Sequence, residues 1–456
     1  MTVSFKTFGC RLNRAETDAF VASFAAAGVA CVPFGEPADI VVFHTCAVTQ
    51  HAEDECLKLL RSLRKKNPSA FLVMAGCAVE SVAAETLAEA GLNLVVTREQ
   101  KDVLVDVVLR MVAEQRPLSC PPQCCSSGAA SPEGIAPASS IAPHGSVSGD
   151  AAPERQGLSV VPRPRRRRAL LKIQDGCDFF CTYCFVPHAR GLPRSRPFDD
   201  CLREAKAFAD AGHREIVVTG CNIACYEDGG RKLPSLLAAL AELPGLGRLR
   251  LGSIEPGMVE GEVAALMAST EKICRFLHLP IQSGDDGVLR RMGRHYTSVQ
   301  IETAIRQAQA LMPDAAFGAD FICGFPGETE AAFGRTLRLA EALPLSNLHV
   351  FPYSERPGTS AAAFDGSVPP AERRDRAKRL IALGRAKRVA FAQRFVGKRI
   401  EFVIERFDRD GRACGWSGEY LPCAVGGVPR ERMGTLYAFT PERADGETLT
   451  ADASSV

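Results

Sequence analysis

The sequence predicts an α/β protein made of two parallel-sheet units and a small all-β module. Three observations predict it. Short apolar β runs alternate with helical runs over residues 1–115 and again over 169–355, and such alternation builds parallel sheets covered by helices. The chain of 456 residues has room for about three domains. It is 46% hydrophobic and 24% charged, the balance of an ordinary globular protein with material for a core.

The first unit, 1–115, reads as strands at 3–8, 40–43, 71–75 and 94–96. Helical runs at 14–27, 51–66, 79–90 and 102–112 separate and close them. Residues 116–164 are dense in Pro, Ser, Gly and Ala. They cannot bury enough apolar surface to offset their ordering entropy, so a disordered linker is expected. It runs into the basic stretch Arg165, Arg166, Arg167 and Arg168.

The second unit, 165–369, offers six strands, at 169–173, 215–219, 248–251, 276–279, 317–322 and 348–351. Six such β/α repeats make a partial barrel, and barrels place their active sites at the carboxyl ends of the strands. Residues 370–399 read as one basic helix, with a helix domain drawn at 370–397. Residues 370–399 hold eleven Lys/Arg against two acids, a net of +9. Residues 398–442 read as the all-β module, followed by a loose polar end.

Overall charge is only +2, so bulk electrostatics names no partner. The N-terminus lacks an apolar signal and no stretch reaches the ~20 apolar residues of a membrane span. The expectation is a cytoplasmic protein without membrane contact, whose thiols stay reduced. Its 18 cysteines, about 4% of the chain, are too dilute for a secreted disulfide scaffold. Reduced cysteines at special spacings read first as metal or cluster ligands.

Cys177-x3-Cys181-x2-Cys184 falls on the loop after the first barrel strand. Three thiolates so close can hold three irons of a 4Fe-4S cluster, which normally takes four, and the fourth iron is left open. The alternative is a zinc knuckle on Cys181 and Cys184 with His188. Cys10, Cys46 and Cys77 are far apart in sequence, but each follows an apolar strand by one to three residues. Carboxyl ends of parallel strands converge on one crevice. Three cysteines there could share a second cluster, or be unremarkable buried thiols.

The segments FGCRLNRAETDAF, HTCAVTQHAE and AGCAVE resemble the three cysteine motifs of the methylthiotransferase family. KIQDGCDFFCTYCFVPHARG resembles its radical S-adenosylmethionine (SAM) signature, with Tyr183 as the aromatic before the last cysteine. GRACGWSGEYLPCAV resembles, weakly, the TRAM module, a small β-barrel tied to RNA binding. Within the family, GCRLNRAET and the arginine-rich approach to Cys177 look closest to the MtaB type. Those enzymes act on N6-threonylcarbamoyladenosine beside the tRNA anticodon.

The resemblance implies an N-terminal flavodoxin-like sheet, a radical-SAM partial (β/α)6 barrel and a TRAM-like module. It implies two 4Fe-4S clusters. Cys177, Cys181 and Cys184 would hold the one that binds and reductively cleaves SAM to a deoxyadenosyl radical. Cys10, Cys46 and Cys77 would hold an auxiliary cluster carrying the sulfur to be inserted. The product would bear a methylthio group on carbon 2 of the adenine. A base in an anticodon loop is reached at low unstacking cost.

SAM would lie against Thr219, Gly220, Ser253, Glu255 and Gln282, at successive strand ends. Asp320, Gly324, Gly327 and Tyr353 complete the expected pocket. Partners would be the tRNA anticodon stem-loop, SAM and a low-potential electron donor. Arg165 to Arg168 and Arg373, Arg374, Lys378, Arg379, Arg385, Lys387 and Arg388 would bind RNA phosphates. Alternatives keep the chemistry on isopentenyladenosine in tRNA or on a ribosomal-protein aspartate, or replace it with a non-catalytic tRNA-binding zinc protein. Cys221 and Cys225 depart from the family pattern, and Cys120, Cys124 and Cys125 fall in the linker.

Overall fold

The computed structural model describes residues 1–47, 50–115, 167–259 and 261–452. The expected linker 116–164, its three cysteines, and Arg165 and Arg166 lie outside the described residues.

The N-terminal domain runs β1 (Thr2–Thr7), α1 (Arg11–Ala26), β2 (Ala30–Cys31), β3 (Ile40–Thr45) and α2 (Gln50–Lys66). It continues with β4 (Phe71–Gly76), α3 (Ala84–Glu89), β5 (Leu94–Val96) and α4 (Leu104–Gln115). The strands form one parallel sheet in the order β2-β1-β3-β4-β5. That is the flavodoxin-like order, whose ligand crevice opens where the winding reverses, between β1 and β3. Every residue of β3 is buried, as expected of a central parallel strand covered on both faces.

Three local expectations change. The edge strand β2 is too short to show in the pattern. Helix α1 starts at Arg11, so Cys10 occupies its N-cap position. After β4 the chain makes a 3-10 turn over Cys77–Glu80 before α3, where one helix over 79–90 was expected.

The central unit opens with β6 (Arg168–Lys172), a two-residue ladder β7 (Gln174–Asp175) with β8 (Arg194–Ser195), and the short helix α5 (Val186–Arg190) between them. Then follow α6 (Phe198–Asp210), β9 (Glu215–Thr219), the hairpin β10 (Glu227–Asp228) and β11 (Arg231–Lys232), α7 (Leu233–Ala241) and β12 (Arg248–Leu251). Helices α8 (Pro256–Val259) and α9 (Glu262–Ser269) lead to β13 (Phe276–Gln282). Next come α10 (Asp286–Arg291), α11 (Ser298–Leu311), β14 (Ala316–Cys323), α12 (Glu330–Ala342) and β15 (Leu345–Pro352).

Parallel sheets β6-β9-β12 and β13-β14-β15 are joined by bridges Leu249–Ile273 and Ser253–His278. The six expected strands thus form one open half-barrel. One face of these strands (Leu171, Ile216, Val218, Leu249, Leu277, Phe317) packs under the helices as the main core. The alternate residues of β9, β12, β13 and β14 (Glu215, Arg250, His278, Asp320) line the concave side, which is therefore polar.

Helix α13 (Pro370–Gln393) carries the chain to the module of β16 (Ile400–Phe407), β17 (Ala413–Ser417), β18 (Pro422–Val425), β19 (Leu436–Phe439), β20 (Arg443–Asp445) and β21 (Thr448–Ala451). The sheet order is β19-β16-β17-β18-β21-β20. The expected end at 442 is therefore too early. Strand β21 pairs with β18, and Leu449 is buried in the module core.

Glu215 takes the Nε–H groups of Arg248 (2.6 Å) and Arg250 (2.8 Å). Their remaining N–H groups donate to the carbonyls of Trp416 and Ser417 in the module. Tyr420 stacks between Trp416 and the barrel's Phe276, 4.7 Å from each. Among the described residues, no helix is long and apolar enough to cross a membrane.

Candidate active site

Cys10, Cys46 and Cys77 follow β1, β3 and β4, so all three stand at the carboxyl end of one sheet. Two glycines make this possible. Gly9 (φ 94°) and Gly76 (φ 102°) adopt the left-handed conformation immediately before Cys10 and Cys77. A Cβ on Gly9 would lie 2.5 Å from the Cβ of Cys46, and one on Gly76 would lie 2.5 Å from the Thr45 carbonyl. Each glycine thus lets its cysteine loop close onto the loop of Cys46. Gly76→Ala is expected to cost at least about 2 kcal/mol, from its left-handed φ and the backbone overlap together. Thermal unfolding checks the stability loss, and an iron assay checks the matching loss at this triad.

The second triad is built the same way. Gly176 (φ 74°) precedes Cys177, and its Cβ position is filled by the Leu192 backbone. The loop closes through Cys177 N–H to the Gly191 carbonyl (3.0 Å) and Cys184 N–H to the Cys181 carbonyl (2.8 Å). Burial pushes the Cys184 thiol up to about 12 and that of Cys177 upward too. Ionising such thiols calls for a positive centre, which is what a cluster supplies.

Among the described residues, neither triad forms a group whose ligand atoms all lie within 4.8 Å, and Cys181, Cys184 and His188 do not either. A single zinc ion, with bonds near 2.3 Å, needs that crowding. Three thiolates at one strand end are the donor set of a 4Fe-4S cluster with one open iron. His188 instead packs its ring against Phe185 (5.5 Å) and Phe180 (6.4 Å).

A buried ionic cluster that the sequence did not reveal ties the barrel segment around the second triad to the N-terminal domain. Glu16 of α1 receives Arg190 Nη1 (3.0 Å), Lys172 Nζ (2.6 Å) and Lys101 Nζ (2.5 Å). Arg190 Nη1 also donates to Asp175 Oδ1 (2.8 Å). Burial opposes the charge on Glu16, but Arg190, His44, Lys101 and Lys172 hold it well below the usual carboxylate range. On the other side of the loop, Arg294 donates to Cys181 Sγ (3.1 Å) and pairs with Glu255.

The expected SAM contacts are divided. Thr219 is buried at the end of β9, and a Cβ on Gly220 would lie 3.0 Å from the Gln174 carbonyl. Ser253 is exposed after β12. Gln282 ends β13 at φ 66°, a conformation that a side-chain-bearing residue rarely adopts, and such strain gathers at functional sites. Tyr183 and Tyr353 both meet Phe325 edge-on, at 6.4 and 5.3 Å. The Tyr353 hydroxyl is buried with no partner among the described residues, an orphaned donor beside Phe325.

Three of the expected contacts meet the protein's own groups. Asp320 is engaged by His278 Nε2 (2.9 Å) and His349 Nδ1 (3.3 Å), so its carboxylate is held by imidazoles. Gly324 was expected to admit a nucleoside, but the space beside it is filled by Arg373. Gly327 is closed off by Arg291 and donates its N–H to the Gly366 carbonyl (2.8 Å).

The expected RNA-binding set is also divided. Arg373 is buried and donates to the carbonyls of Val368 (2.6 Å) and Tyr353 (3.0 Å). Arg388 is bound to Glu447 and Asn347, Arg379 to Glu330, and Lys387 to the Glu341 carbonyl. Arg168 pairs with Glu405. These side chains fasten helix and module to the barrel, and a count of charges cannot separate such roles from solvent exposure. Arg374, Lys378 and Arg385 remain exposed, without an ion pair among the described residues. Arg167 lies half-buried in a groove with His213 and Gly434.

Cys221 donates to Asp175 Oδ1 (3.4 Å), beside the ionic cluster. No disulfide joins the described cysteines.

A half-barrel whose first strand leads into a three-cysteine loop, joined to a parallel-sheet domain with cysteines at its own strand ends, is the architecture of a radical SAM enzyme. Residues 171–340 match the model of the radical SAM superfamily, and residues 2–97 match one described as uncharacterized protein family UPF0004. The chain is 31% identical over 434 residues to the threonylcarbamoyladenosine tRNA methylthiotransferase MtaB of Bacillus subtilis, covering 94% of this chain and 91% of that protein. It is 36% identical over 415 residues to the tRNA-2-methylthio-N(6)-dimethylallyladenosine synthase of Novosphingobium aromaticivorans, covering 89% and 87%. In fold it is similar to the solved radical SAM methyltransferase TsrM of Kitasatospora setae, with TM-score 0.57 at 14% identity, covering 79% of this chain and 74% of that one. The chain belongs to the radical SAM tRNA methylthiotransferases, a family that uses SAM and 4Fe-4S clusters.

Proposed function

We propose that this methylthiotransferase converts N6-threonylcarbamoyladenosine beside the tRNA anticodon to its 2-methylthio derivative. Cys177, Cys181 and Cys184 hold the SAM-cleaving cluster, and Cys10, Cys46 and Cys77 the auxiliary one. The observation that carries this reading is that each of two domains bears a cysteine triad at its strand ends, with Arg190, six residues beyond one triad, donating to Cys77 of the other. When bound, the clusters and SAM supply the one-electron chemistry and the sulfur needed to replace an inert aromatic C–H.

The protein's own residues bind, orient and shield. Thr219, Gly220, Ser253, Glu255, Gln282, Tyr183 and Tyr353 form the SAM wall. Arg294 fixes Glu255 and Cys181 together. Phe180, 55% exposed in the signature loop, and Phe351, 45% exposed at the end of β15, offer faces on which an unstacked base can lie. A polar concave wall (His278, Asp320, His349) suits a substituent bearing a carboxylate and a hydroxyl better than an isoprenoid. The relatives named as dimethylallyladenosine synthases support the second reading, an isopentenyl-type target. Mass analysis of tRNA nucleosides from a strain lacking the chain separates the two. Loss of the methylthio-threonylcarbamoyl nucleoside supports the first, and loss of the methylthio-isopentenyl nucleoside alone refutes it.

Arg374, Lys378 and Arg385 form the exposed phosphate-binding edge of α13. Replacing all three with Ala is expected to weaken tRNA binding and flatten the slope of log K against log salt by about two to three. Arg376→Ala is expected instead to destabilise the fold by about 3–5 kcal/mol. It removes the partner of the buried Glu328 carboxylate (2.9 Å). Salt-dependent binding assays and chemical denaturation distinguish the two effects.

A further inference from the structure

We propose that Arg190 is a positioning residue of the auxiliary site, and that its hydrogen bond to Cys77 raises the reduction potential of the cluster bound there. The proposal rests on reading Cys10, Cys46 and Cys77 as cluster ligands.

Arg190 belongs to the barrel, at the end of α5, six residues after Cys184. Its side chain is 4% exposed and turns into the N-terminal domain. Nε donates to Cys77 Sγ at 3.2 Å. Nη1 donates to Glu16 Oε1 (3.0 Å) and Asp175 Oδ1 (2.8 Å). Nη2 donates to Asn13 Oδ1 (2.5 Å) and Glu16 Oε2 (3.1 Å). All three nitrogens are thus engaged, in the rigid fork that only a guanidinium offers.

Asn13 extends the reach of this fork. Its amide donates to the carbonyls of Phe8 (3.0 Å) and Thr45 (2.7 Å). Those carbonyls lie two residues before Cys10 and one before Cys46. One barrel side chain therefore touches Cys77 directly and holds the other two cysteine loops through a single amide. The ionic cluster around Glu16 explains why the arginine stays charged, but not why its Nε faces a sulfur.

Reducing an iron–sulfur cluster adds negative charge that spreads onto its thiolates. An N–H aimed at a ligating sulfur stabilises the reduced form more than the oxidised one. Arg294 makes the matching contact at Cys181 in the other triad, so the two sites have separate donors. Substitution at Arg190 is expected to move one potential and leave the other.

The test is an EPR-monitored redox titration of the anaerobically reconstituted full chain. It is run in two backgrounds, one lacking Cys177, Cys181 and Cys184 and one lacking Cys10, Cys46 and Cys77. Arg190→Lys keeps the charge facing Glu16 and Asp175 but loses the fork, and Arg190→Gln loses both. The expected result is an auxiliary cluster that is harder to reduce in Arg190→Lys. Its reduced-to-oxidised ratio at fixed poise falls about tenfold, or ~59 mV for a one-electron couple. The SAM-site cluster is expected to titrate as in the parent. An unchanged auxiliary potential in Arg190→Lys at full iron content overturns the proposal, even if Arg190→Gln loses its cluster through misfolding. Wild-type iron content in the chain lacking Cys10, Cys46 and Cys77 is a different failure, since it removes the ligand assignment itself.

Discussion

Cys181→Ala is expected to abolish reductive cleavage of SAM and lower the iron content of the reconstituted chain from about eight to about four per molecule. Two thiolates cannot hold a cubane that already relies on three. Cys181 is the buried member of its triad, and the only one of the three that also receives an arginine N–H. The loop hydrogen bonds that run through backbone atoms survive the change, including Cys184 N–H to the residue 181 carbonyl. The fold should therefore persist, with a stability loss of the ordinary size, about 1–2 kcal/mol. Deoxyadenosine release, measured by chromatography beside an iron assay, checks both halves. Undiminished cleavage would show that the signature loop does not hold the reactive cluster.

Cys46→Ala is expected to separate the two reactions. The barrel and its triad are untouched, so SAM cleavage to deoxyadenosine continues, while no methylthio nucleoside forms and about four irons are lost. Cys46 is central to its site. It is buried, and Gly9 gives up its side chain to let the loop of Cys10 rest on it. Alanine leaves that packing intact and removes only the sulfur. Product formation at the parental rate would refute the auxiliary-cluster assignment.

Much of this architecture was legible in the sequence because it is written in local patterns. The alternation of apolar β runs and helices gave the half-barrel strand by strand. The rule that cysteines just after parallel strands converge placed Cys10, Cys46 and Cys77 at one sheet end. The glycines before Cys10, Cys77 and Cys177 were visible in the motifs, and the structure shows why they must lack a Cβ.

What stayed hidden depends on partners distant in the chain. Glu16 and Arg190 are 174 positions apart, and nothing in either neighbourhood announces the other. Both lie inside segments already singled out for their cysteines, so the residues were in view while their pairing was not. His278 and His349 were missed for the same reason. The basic helix misled because Arg373 and Arg376 are spent inside the protein, on Glu355 and Glu328. The final strand, Thr448–Ala451, was missed because Leu449 is its only large apolar residue.

The most direct test of a two-site methylthiotransferase acting on threonylcarbamoyladenosine is a single reaction. The anaerobically reconstituted chain is given SAM, a strong reductant and tRNA from a strain lacking it, and the digested nucleosides are read by mass spectrometry. The proposed function predicts conversion of N6-threonylcarbamoyladenosine to its 2-methylthio form, with the isopentenyl-type nucleoside left unchanged. Methylthiolation of the isopentenyl-type nucleoside alone, or of neither, would contradict it.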